Sequence, residues 1–123
     1  MRALHPENGA VLWERSVTPP DRLEWAVADA AGVVSCGGGG QDHWIIEAVS
    51  FDGQRRYRKA LEAINAEAIF AGGHLWVLVN RVSGSVLLRL DRDGEESGTW
   101  TLQAGGTGLC THRDSLVWYA PNL

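Results

Sequence analysis

Short strand-like runs and tight-turn signals recur in this chain with a period of 41 residues. Gly32, Gly73 and Asp114 stand at that interval, and each is followed by a strongly apolar run. Two stretches, 25–61 and 66–103, carry the full pattern: a short strand, a tight turn, an apolar strand, then a third and a fourth strand. The last two strands of each meet at Asp52-Gly53 or Asp93-Gly94, and the fourth carries an aromatic residue, Tyr57 or Trp100. The stretch 107–121 holds only the first half of the pattern, and 2–17 only the second, with Asn8-Gly9 as its turn and Trp13 as its aromatic. Asn-Gly between apolar runs is a strong hairpin signal and predicts a type I′ turn, with positive φ at both central residues. A lone hairpin is marginal in water, so this one needs a partner sheet.

Read circularly, the 123 residues make three four-stranded units, one of them split between the two ends. Four strands per ~40–45 residues is the signature of a β-propeller. The expected fold is therefore all-β, with three blades of about 41 residues per chain. Closed rings have roughly 4–8 blades, so three cannot close alone. A homodimer would close as a six-bladed ring, with each split blade completed between copies and no strand edge left open. The alternatives are a fragment of a longer propeller, or a ring completed by a different protein. A rival local reading is a helix over 55–71, where Tyr57, Leu61, Ile64 and Ala68 fall at helical spacing.

The hairpin residues Ala3, Gly9 and Trp13 carry a further signal. ALHPENGAVLW resembles the tryptophan-docking motif of quinoprotein-type (PQQ-like) propeller repeats, roughly A-x-D-x-x-T-G-x-x-x-W. His5 stands for the Asp and Asn8 for the Thr. The resemblance implies an inter-blade packing role for Trp13, and for Tyr57 and Trp100 through the repeat. It argues fold far better than function.

Composition narrows the function classes. A net charge of −4 argues against nucleic acid or an anionic membrane as partner. No apolar run approaches the ~20 residues of a membrane helix, and the first residues lack an apolar signal core. Two distant cysteines, Cys36 and Cys110, read as reduced thiols of a cytoplasmic protein. With 15 Gly and 6 Trp, frequent turns join large rigid side chains, as suits an all-β chain.

The motifs that suggest chemistry each have a plainer reading. CGGGGQDH, Cys36 to His43, lacks the Lys and the helix of a phosphate loop, and reads as a flexible loop. DRDGEE, Asp91 to Glu96, misses calcium-loop spacing, and reads as a solvated turn. His112, Asp114 and Ser115 are too close in sequence for a catalytic triad. The four histidines share no repeat position, so neither a metal site nor a cofactor is expected. Trp76 and Trp118 read as core, and Trp25 and Trp44 as the aromatics best placed to face a ligand.

On a propeller, the loops between second and third strands and between blades gather on one face around the channel. The candidate binding set is therefore Asp21, Arg22, Gln41, Asp42, His43, Trp44, Asn65, Asn80 and Arg81. The expected function is a non-enzymatic, self-assembling binding or scaffolding module, whose partners would be a second copy of itself and a protein or glycan ligand. The alternative is a small carbohydrate-binding propeller that uses its loop tryptophans.

Overall fold

The computed structural model describes residues 2–14, 22–28, 31–38, 43–102, 108–113 and 115–119. Among them every regular element is a strand. The first two strands, β1 (Arg2–Leu4) and β2 (Val11–Glu14), form an antiparallel pair. Then β3 (Arg22–Ala28), β4 (Gly32–Gly38), β5 (His43–Ser50) and β6 (Arg55–Glu62) make a four-stranded antiparallel sheet in sequence order. A second such sheet follows from β7 (Asn65–Ala71), β8 (His74–Arg81), β9 (Gly84–Leu90) and β10 (Glu96–Leu102). The last pair is β11 (Gly108–His112) with β12 (Ser115–Tyr119). The molecule is thus all-β, with two complete four-stranded sheets and two two-stranded pieces.

One rival reading falls and one local expectation is corrected. Within 55–71 the chain forms β6 and β7, the strand, loop and strand of the repeat reading, and not the rival helix. Ladder pairing decides this: Tyr57 stands opposite Ala48 and Leu61 opposite Trp44, while Ala66 and Ala68 alternate inward along β7. Tertiary partners outweigh the helical propensity of an Arg-, Glu- and Ala-containing stretch. The glycine-rich segment is also more ordered than a loop at its start, because β4 continues through Gly37 and Gly38 opposite Ile45 and Trp44. Residues 39–42 lie outside the described residues.

Three turns are closed by similar hydrogen bonds, the first in a loop one residue longer than the other two. The N–H groups of His5, Ser50 and Asp91 donate to the carbonyls of Ala10, Gln54 and Glu95. In return Gly9, Gly53 and Gly94 donate to the carbonyls of His5, Ser50 and Asp91. Each glycine has φ between +70° and +88°, while Asn8, Asp52 and Asp93 are not in the left-handed region. The expected type I′ geometry is therefore replaced by longer loops in which only the closing glycine needs positive φ.

Burial alternates along the central strands. Leu75, Val77 and Val79 of β8, with Leu88 and Leu90 of β9, face the first sheet and pack with Val34, Cys36, Ile46, Ala48 and Leu61. On the opposite face Leu78 and Leu87 pack with Leu109 of β11, with Leu116 and Trp118 of β12 against them. The second sheet is thus covered on both faces, which is why HLWVLV reads as an unbroken apolar run. No helix among the described residues is long and apolar enough to cross a membrane.

Candidate functional site

The beginnings and ends of strands meet in a cleft of about 430 Å³ lined by Glu24, Trp25, Trp44, Asn65, Glu67 and Asn80. The indole N–H of Trp25 donates to the Ala66 carbonyl at 2.8 Å, tying β3 to β7. That of Trp44 donates to the Ile64 carbonyl at 3.1 Å. With both N–H groups fixed on main chain, the ring orientations are set. The Asn80 Nδ2–H donates to the side-chain Oδ1 of Asn65 at 2.7 Å, closing one wall. The cleft therefore offers aromatic surface, two carboxylates and an amide pair, which suits a polar, neutral or cationic ligand. Among the described residues no group of three His, Cys, Asp or Glu side chains could hold a metal ion.

Of the candidate binding set, Trp44, Asn65 and Asn80 come together in this cleft. Arg81 does not line it: its Nε donates to the Glu62 carbonyl at 2.9 Å, beside Val82 and Ser83. His43 opens β5 and is exposed; Arg22 opens β3, its backbone opposite Gly38. These residues are strand termini rather than loop residues, because the ladders run further than the apolar runs do. Asp21, Gln41 and Asp42 lie outside the described residues. Glu24 and Glu67 escaped the sequence reading. Glu67 could have been noticed as the one charge in the run NAEAIFA.

A second kind of site repeats between units. The Trp13 ring lies over Gly53, its Cγ 3.4 Å from where a Cβ on that glycine would be. The Tyr57 ring lies over Gly94 in the same way, its Cδ2 only 2.6 Å from such a Cβ. Around the second contact, Lys59 Nζ donates to the Gly94 carbonyl at 3.3 Å and Arg56 Nη2 to the Arg92 carbonyl at 2.8 Å. Near the first, Asp52 is fully exposed, and its carboxyl is held below the usual range by the Ser50 hydroxyl and then by the Gln54 N–H.

The match of Trp100 to Trp13 and Tyr57 needs correcting. Each last-strand pairing carries a bulge, and beyond it Trp13 faces Ala3, Tyr57 faces Ala48 and Gly98 faces Arg89. Gly98, not Trp100, therefore holds the equivalent position. Trp100 lies two residues on and folds its ring back over Gly98, 2.4 Å from where a Cβ would be. It also sits 5.3 Å from the Trp76 ring, with the Arg89 guanidinium 5.6 Å from its own.

Cys36 is buried and free; burial pushes its thiol up to about 12, whereas Cys110 is exposed. The fold and cleft together define an all-β protein of antiparallel four-stranded sheets with a tryptophan-lined cleft. Comparison with known proteins finds no matching family model, no matching curated relative and no matching solved structure.

Proposed function

We propose that the chain is a run of β-propeller blades, that two copies close into a six-bladed ring, and that the ring is a binding or scaffolding module. One observation carries this reading: positions buried in the complete sheets are open in the half-sheets. Counted from their turns, Leu116 and Tyr119 of β12 take the places of Leu75 and Leu78 of β8, and Leu116 stays packed on the second sheet. Leu78 is 1 % exposed, whereas Tyr119 is 49 % exposed. Leu4 likewise takes the place of the fully buried Leu90 and is 54 % exposed. The resemblance of the opening hairpin to quinoprotein-type repeats agrees with this reading.

Carrying the β8–β9 register onto the missing junction sets Leu116 of one copy opposite Leu4 of the other, and Val117 opposite Ala3. In a Cys110→Ser background, Leu4→Cys with Leu116→Cys should cross-link between copies on mild oxidation. Sedimentation of the unaltered chain should give about twice its 13.4 kDa mass. A monomer at every concentration refutes the reading.

The cleft favours a second reading. Because Trp25 and Trp44 share it with Asn65 and Asn80, a glycan is the alternative ligand, its sugar face on an indole and its hydroxyls on the amides. A glycan array tests this: binding should be lost in Trp44→Ala, and an array without binding removes the alternative.

A further inference from the structure

We infer that Trp100 of one copy seats on Gly9 of a second copy, continuing across the junction the contact series that runs along the chain. The inference rests on the self-assembly reading above and goes beyond it, by naming the contact that fixes the order and direction of joining.

Within the chain the series has two members. An aromatic side chain early in the last strand of one unit covers the turn glycine of the next: Trp13 on Gly53, then Tyr57 on Gly94. A third turn glycine, Gly9, closes a similarly bonded turn one residue longer, with a φ of +70°, but has no atom of the described residues within 4 Å of where its Cβ would be. A third aromatic is left over at the other end of the chain. Trp100 is 43 % exposed on β10, the last strand of the last complete sheet. One uncovered seat and one open ring therefore sit at opposite ends of the same repeat.

The departure of Trp100 from the repeat strengthens the match. Two positions in β6 reach the Gly94 turn, that of Tyr57 through its ring and that of Lys59 through its ammonium. Their counterparts in β10 are Gly98 and Trp100, by register. Gly98 has no side chain, so Trp100 is the side chain there with the bulk to cover a turn. Its ring lies back over Gly98, in the space where the Tyr57 side chain begins in the preceding unit. Trp76 and the Arg89 guanidinium flank it, and Arg89 is itself anchored by donating to the Ser97 hydroxyl at 3.0 Å and the Ser97 carbonyl at 2.9 Å. The ring is thereby preorganised, which lowers the ordering cost of an interface.

The test uses glycine as the reporter. In Gly9→Ala the new methyl group meets open space within one copy, but it would strike Trp100 of the next. Gly72→Ala is the control, since Gly72 has φ +58° and equally open space but stands in another turn. Association of the full chain is measured by sedimentation velocity across a dilution series, with far-UV circular dichroism reporting the fold of each variant. Gly9→Ala and Trp100→Ala should each weaken association at least tenfold, and Gly72→Ala should leave it unchanged. Gly9→Ala should add nothing once Trp100 is alanine. Association of Gly9→Ala equal to that of Gly72→Ala, or a Trp100→Ala variant as tightly associated as the unaltered chain, overturns the contact while self-assembly stands. An unaltered chain that never associates overturns both.

Discussion

Replacing Gly94 by alanine measures what an aromatic seat on a turn glycine is worth. At φ +80° an L-residue pays about 1–2 kcal/mol for the left-handed backbone. The added Cβ would also lie 2.6 Å from Tyr57 Cδ2, so the ring must shift. Overpacking of that kind costs about 1–3 kcal/mol more. Gly72→Ala carries only the first cost, because its Cβ at φ +58° meets nothing within 4 Å. Urea unfolding at one fixed protomer concentration should place Gly94→Ala below Gly72→Ala by about 1–3 kcal/mol. In a Tyr57→Ala background that difference should vanish, since the ring that created it is gone. Equal losses for the two substitutions in the unaltered background would refute the seat as a stabilising contact.

Three further outcomes are expected. One thiol per chain, Cys110, should react with a thiol reagent under native conditions, and both should react after unfolding. Because folding raises the Cys36 thiol from 9.0 to about 12, its contribution to stability is full below pH 9 and is lost as the pH climbs toward 12. Stability of the unaltered chain should therefore fall more steeply than that of Cys36→Ala between pH 9 and 11, and parallel profiles would contradict this. Trp25→Phe keeps the apolar ring but leaves the Ala66 carbonyl without its indole donor. It should cost about 0.5–1.5 kcal/mol in the same urea assay.

The parts of the fold legible in the sequence were those set by local chemistry. Xaa-Gly pairs at Asn8-Gly9, Asp52-Gly53 and Asp93-Gly94 marked hairpin turns because each must place a glycine at positive φ. Runs such as HLWVLV marked strands because apolar residues on successive positions cover both faces of a sheet. What escaped was whatever depends on register. The bulges ahead of Trp13, Tyr57 and Gly98 move a side chain by one position, and no residue type announces them. The Trp100 mismatch, by contrast, is countable in the sequence: Trp13, Tyr57 and Gly98 each stand four residues after their turn glycine, whereas Trp100 stands six after Gly94. Dependence on register left the cleft half legible. Trp44, Asn65 and Asn80 lie at ends that the repeat brings together, whereas Glu24 and Glu67 enter through strand alternation and a bulge between Leu23 and Trp25.

The contact series also limits what assembly can be built. Its two open ends differ, a turn glycine at one and an aromatic ring at the other, so a junction formed from them is head to tail. Head-to-tail junctions close into rings when the rotation per copy divides a full turn, and otherwise run on as filaments. On the proposed reading each copy contributes three units, so a ring must hold a multiple of three. Closed propellers have about 4–8 blades, and six is the one multiple of three in that range. Two copies then satisfy both Gly9 seats and both Trp100 rings at once. A filament would leave one of each uncovered at its tips and would keep growing with concentration. A mass that stops at twice the chain mass across a hundredfold rise in concentration therefore separates the closed ring from an open stack. A mass that keeps climbing would place the same contacts in a fibre instead.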